Sequence, residues 1–86
     1  MVVMIPTPLR DYTSGASEVS ASGASLAEVL DQLDGRFPGI RFRMVDEQDR
    51  IRPHIKFFVG QELAPSLDVP VESGEDVHII CALSGG

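Results

Sequence analysis

The sequence predicts a small two-layer α+β domain in which a mixed sheet packs on one helix. Three observations carry this expectation. Short β-rich runs lie near both ends of the chain, at "VVMI" and "VHIICAL", with a third at "HIKFFVGQE". One amphipathic stretch, "SLAEVLDQLDG", sits between them. The strand faces and the helix stripe can cover each other, and 86 residues leave no room for a second core.

Each element follows in order. The β-branched "VVMI" is stopped by the turn-forming "PTP", which places a first strand over residues 1–5. After a polar loop through Tyr12, "SEVSAS" alternates, with Val19 and Ala21 inward and Glu18 and Ser20 outward. Two strands this close predict an antiparallel hairpin. Ser25 then caps a helix while Glu28 reaches back to the Ser25 amide, a capping box. Leu26, Val29, Leu30 and Leu33 share one helical face, and Asp31, Gln32 and Asp34 fall outside it. Gly35 suits a left-handed exit residue, and Pro38 opposes continuation.

Beyond the helix, Ile40, Phe42 and Met44 alternate with Arg41 and Arg43, which permits a short strand. The charged "DEQDR" reads as a solvated loop. "HIKFFVGQE" has period two, with Ile55, Phe57 and Val59 inward and a turn at Gly60-Gln61. The prolines of "LAPSLDVPV" allow only an edge strand or ordered coil, and "ESGED" is a turn cluster. In the last run Val77, Ile79, Cys81 and Leu83 share a face.

Composition narrows the function classes. A net charge of −6 disfavours nucleic acid and anionic membranes as partners, because phosphate contacts need lysine and arginine. The basic residues are nonetheless clustered: Arg36, Arg41, Arg43, Arg50, Arg52 and Lys56 leave only Arg10 apart, and Lys56 is the only lysine. The arginines at 41, 43, 50 and 52 read as a solvated loop, with contact to an acidic partner as the alternative. No stretch approaches the ~20 apolar residues of a membrane span, and "MVVMIPTPLR" lacks the basic start of a signal peptide. A lone cysteine, Cys81, points to a reducing compartment, so a cytoplasmic location is expected. His54 and His78 have no partners at ligand spacing, so no metal is expected. Cys81, on the inward phase of its strand, reads as a small core residue.

The chain closes on Gly85-Gly86, a pair that random usage yields about once in two hundred chains. Together with "IPTPLR" at Ile5–Arg10, the "PGI" at Pro38–Ile40, "FFVGQE" at Phe57–Glu62 and "SGEDVHII", it resembles the ThiS/MoaD-type sulfur carriers of the ubiquitin-like β-grasp fold. The likeness runs almost end to end. Gly60 stands where the family often has asparagine and Cys81 where it often has proline, which leaves open how far the last strand stays paired. The resemblance implies a mixed four- to five-stranded sheet on one main helix, with a β-grasp domain over residues 1–83 and a flexible Gly-Gly tail over 84–86. The length and the "IPTPLR" opening are similar to the molybdopterin and cysteine carriers more than to the shorter thiamine ones.

By that resemblance the Gly86 carboxylate is the working group. An E1-like adenylyltransferase/sulfurtransferase would join it to AMP, and sulfur from a donor would then leave a thiocarboxylate. ATP and the sulfur donor are used by the partner, so the carrier binds no cofactor and is not itself an enzyme, although it can be the small subunit of a synthase. Leu83, Ser84 and Gly85 form the tail to be threaded, since glycine passes a narrow channel without Cβ clashes. A downstream sulfur-accepting enzyme or synthase large subunit is the second partner, and the free carrier is expected to be a monomer. If the first, middle and last strands are neighbours, as the fold implies, Val2, Met4, Phe58 and Ile80 form one apolar patch beside Lys56 and His78. Such a patch marks a partner surface, unless the loop "RFRMVDEQDRIRPH" folds over it. A ubiquitin-like modifier attached through Gly86 to target lysines is the alternative, and a non-covalent binding module is the third reading.

Overall fold

The "VVMI" run forms β1 (Val2–Met4), and it pairs antiparallel with β2 (Glu18–Ser20) through Val2↔Ser20, Val3↔Val19 and Met4↔Glu18. Ile5 leaves the strand but stays buried, its amide donating to the Ser17 carbonyl at 2.8 Å. These are elements of a computed structural model that describes residues 1–82. The remaining strands are β3 (Ile55–Val59), β4 (Glu62–Leu63) and β5 (Val77–Cys81). The sheet order is β2-β1-β5-β3-β4, with β1 parallel to β5 and every other pair antiparallel. The first and last strands therefore lie side by side in the middle of the sheet.

One face of that sheet carries α1 (Leu26–Arg36). Leu26, Val29, Leu30 and Leu33 are all fully buried against Val3, Ile55, Phe57, Val77 and Ile79. Four such side chains contribute about 6–12 kcal/mol of hydrophobic stabilisation. The start of α1 is well satisfied. Ser25 Oγ accepts from the Glu28 amide at 3.3 Å. The Leu26 and Ala27 amides, orphans at any helix start, donate to the carbonyls of Val69 and Leu67 at 2.9 and 3.0 Å. The proline-containing stretch after β4 is thus an ordered coil crossing the helix end, tied by a single bridge between Ser25 and Pro70. The Glu28 carboxylate reaches past the Ser25 amide to that of Ala24, 3.0 Å away.

Two expectations need correction. Gly35 is not the left-handed exit: α1 continues through it to Arg36, whose guanidinium donates to the Ser20 carbonyl and stacks on the Phe37 ring. The left-handed residue is Gly39, at φ +96°. The run Ile40–Met44 is a second short helix, α2, and not a strand. Ile40 and Met44, four apart, share a helical face and are both fully buried, whereas Phe42 is 55% exposed. Asp34 makes this reversal possible by accepting from the Gly39 and Arg41 amides at 3.1 and 3.2 Å, which caps α2 from the preceding helix.

Candidate functional site

Alternation along β1, β3 and β5 leaves one sheet face without a helix, and the register fixes what it presents. Met4 sits opposite His78, His78 opposite Phe58, and Phe58 opposite Leu63, a row that crosses four strands. Lys56 faces Ile80 in the adjoining row. Residues directly opposite on one face have touching side chains, so Met4, Phe58, Leu63 and Ile80 belong to one surface, which Val2 extends along β1. Val2, Met4 and Phe58 are half-buried, Lys56 and His78 are exposed, and Ile80 and Leu63 are 45% and 53% exposed.

The segment expected as a possible cover lies elsewhere. Arg41, on α2, contacts Asp31 of α1 at 3.2 Å and donates to Asp49 Oδ1 at 2.9 Å, which fastens α2 and the following loop to the helical layer. Among the described residues the sheet face therefore stays open. Leu63 is the member that sequence reasoning missed. The signal was present: a two-residue loop at Gly60-Gln61, with Gly60 at φ +61°, places Leu63 opposite Phe58 and on its side of the sheet.

The end of β5 lies at one edge of this face. Cys81 pairs with Ile55, and the Ala82 amide donates to the His54 carbonyl at 2.8 Å, so pairing runs one residue past the strand. Cys81 is half-buried and packs against the core, as its inward phase predicts. The expected tail residues, Leu83, Ser84, Gly85 and Gly86, lie outside the described residues.

On the helix side of the same end is a groove of ≈ 400 Å³ between Pro8, Leu9, Phe42, Arg43, Arg52, His54 and Cys81. Its basic rim is built by α2, which carries Arg43, and by the loop after it. Val45 and Ile51 form a bridge, and Asp46 Oδ1 accepts from the amides of Gln48 and Arg50 at 2.8 and 3.0 Å. Those two backbone donors, the Arg50 one first, hold the Asp46 carboxyl below its ordinary value of 3.8, and the charges of Arg50 and Arg52 add to the effect. The loop delivers Arg52, whose amide donates to Met44 O at 3.0 Å, while its Nε donates to Phe42 O at 2.8 Å and its guanidinium lies 4.6 Å from the Phe42 ring centroid. The basic cluster is therefore divided in its roles: Arg41 clips helices together, Arg50 faces Asp46 at 3.8 Å, and Arg43 and Arg52 line the groove. This division depends on α2 and has no signature in the sequence.

A mixed five-stranded sheet wrapped on one main helix, with the opposite face open among the described residues, defines a ubiquitin-like β-grasp protein. Within that class the chain belongs to the ThiS family, whose model matches residues 3–86. It is 33% identical over 91 residues to "Sulfur carrier protein CysO" of Mycobacterium tuberculosis and of Mycobacterium bovis, an alignment covering 100% of this chain and 98% of each relative. Among solved structures it is similar to a chain of the Amycolatopsis orientalis BexX/CysO complex, with a TM-score of 0.91, 34% identity and coverage of 99% of this chain and 98% of that one. The Mycobacterium tuberculosis CysO structure gives a TM-score of 0.89 at 31% identity, with 95% of this chain and 98% of that chain covered. Small archaeal modifier protein 1 of Haloferax volcanii shares the fold, with a TM-score of 0.77 at 23% identity over 99% of this chain and 97% of its own.

Proposed function

We propose that this chain is a sulfur carrier whose Gly86 carboxylate is activated and loaded by a partner enzyme. The observation that carries the reading is the family match through residue 86, which takes in Gly85-Gly86, on a chain aligned along its whole length to a sulfur carrier protein. In the proposed reaction the carboxylate attacks the α-phosphorus of ATP, forming an acyl adenylate and releasing pyrophosphate. The outer sulfur of a persulfide then attacks the acyl carbon and expels AMP. A thiol cleaves the resulting acyl disulfide, leaving a thiocarboxylate on the chain and a disulfide on the donor side. Every bond made or broken is at the terminus or on a partner, so the body needs no acid, base or metal of its own.

The body supplies position. The open face with Val2, Met4, Phe58, Leu63, His78 and Ile80 serves as the docking surface for the E1-like enzyme and, later, for the enzyme that takes the sulfur. Exposed apolar patches rimmed by polar groups suit that use. The 84–86 segment is the part that enters the partner, and the absence of a side chain at Gly86 leaves the carbon under attack unobstructed. The CysO likeness favours supply of sulfur to cysteine or a related sulfur metabolite, with molybdopterin as the other candidate. A relative that crystallises as the BexX/CysO complex supports the expectation of a protein partner.

Intact-mass measurement after incubation with ATP, a persulfide donor, a thiol and the host's activating enzyme tests the chemistry. The expected product carries one sulfur in place of one oxygen, and deletion of Gly86 abolishes it. A wild-type chain that is never adenylated refutes the reading. Recovery of Gly-Gly remnants on lysines of other proteins, with no thiocarboxylate, replaces it with the modifier.

A further inference from the structure

Arg52 is held in an unusual way for a surface arginine. Its Nε is committed to the Phe42 carbonyl and its plane lies over the Phe42 ring. No hydrogen bond among the described residues uses its two terminal nitrogens, and neither Arg52 nor Arg43 forms an ion pair there. An arginine oriented by stacking and one backbone bond has already lost most of its rotamer freedom, so its outer fork can receive a carboxylate at low entropic cost. Arg43 and His54 stand on the same groove, and Pro8, Leu9 and Cys81 give it apolar walls. On a chain of net charge −6 this is a local inversion of sign.

We propose that this groove seats an acidic segment, carboxylate side chains flanking one apolar residue, of the protein that receives the chain's terminus. The proposal rests on the carrier reading for the partner's identity and on the groove for its chemistry. The nucleotide is a poorer fit for the site. Four residues follow Ala82, so an extended tail puts the reacting carbon up to about 13 Å beyond the groove. A phosphate on a tail held extended would stand that far from the groove, which then faces the partner where the tail enters. The sign pattern also fixes orientation. A partner surface that is basic overall, to suit the acidic carrier, with one acidic projection, matches this chain in a single rotation about the tail.

Titration of the ¹⁵N-labelled protein with the acetylated peptide Asp-Glu-Leu-Glu-Asp reads the groove directly. The expected result is millimolar binding with shifts at the amides of Phe42, Arg43, Arg52, His54 and Cys81. Those shifts are at least fivefold weaker with Asn-Gln-Leu-Gln-Asn, and they are lost in Arg52→Gln and at high salt. Equal response to the neutral peptide, no response at these amides, or response to AMP in place of the acidic peptide each overturns the proposal.

Loading kinetics provide the second arm. Arg43→Glu, at an exposed side chain, keeps the body folded, and combined with Arg52→Glu it raises KM at least tenfold with kcat unchanged. The Arg43→Lys/Arg52→Lys pair keeps the charge but loses the fork and the stack on Phe42, so it recovers only part of the loss. A charge-reversed pair loaded at the wild-type KM overturns the groove assignment and leaves the carrier reading standing. A wild-type chain that is never loaded overturns the carrier reading, and the peptide titration alone then decides the groove.

Discussion

Replacing Ile80 and Leu63 with serine tests whether the open sheet face is the docking surface. Ile80 and Leu63 retain 45% and 53% of their exposure in the free chain. Full burial of such a side chain yields about 1.5–3 kcal/mol, so roughly half, about 1 kcal/mol each, remains to be gained on docking. The two residues lie on β5 and β4 with β3 between them, two strand spacings or about 10 Å apart, far enough for the losses to add. The double variant therefore forfeits about 2 kcal/mol, roughly a 30-fold rise in the dissociation constant. Titration calorimetry with the activating enzyme measures that constant, and each single variant should show a rise of about fivefold. Thermal melting should change little, because these side chains are the least buried apolar ones of the sheet. A double variant that binds within threefold of wild type refutes the docking assignment. So does a loss traceable to a large fall in melting temperature.

Three further outcomes follow from the body of the fold. Gly35 lies inside α1 with open space where a Cβ would go, so Gly35→Ala should stabilise by about 0.5–1 kcal/mol, raising the melting temperature by several degrees. Gly39→Ala should do the opposite by more than 1 kcal/mol, because φ is +96° and the new Cβ would stand 3.3 Å from the Tyr12 ring; equal melting temperatures for the two variants would contradict the assigned helix boundary. Asp46 is held below its ordinary value of 3.8 by the Arg50 and Gln48 amides. Its contribution is therefore complete above that value and is lost as pH falls through the lower folded one. Amide shifts of Gln48 and Arg50 should titrate with a midpoint under 3.8 and show no such step in Asp46→Asn.

Periodicity revealed β2, β3, β5 and α1 because each buries one face against one layer, whereas the two residues of β4 are too few to show a period. Val3, Val19, Ile55, Phe57, Val77 and Ile79 all point inward as their alternation requires. It misread Ile40–Met44 because five residues fit either period: Ile40 and Met44 are two steps of two along a strand and one step of four along a helix. Only Gly39 at positive φ and the Asp34 cap decide between them, and both are tertiary facts. Gly35 was misplaced for a related reason. A glycine near a helix end invites a left-handed conformation, but Arg36 gains a bond to Ser20 and a stack on Phe37 by staying helical. The residues of the open face were legible except for Leu63, whose side of the sheet depends on the length of one hairpin loop. That β1 lies beside β5 has no local signature; the expectation that the first and last strands are neighbours came from the family resemblance alone, and the structure shows the pair to be parallel.

That central pairing has a mechanical consequence. β5 is held along its length by β3 on one side, through five register pairs, and by β1 on the other at Val77 and His78. A pull on the C-terminal end acts along the strand axis, so it loads both ladders in shear, and their bonds must give way together instead of peeling one after another. On the proposed carrier reading, an enzyme that draws on β5 meets a stiff anchor, and its work does not go into unravelling the body.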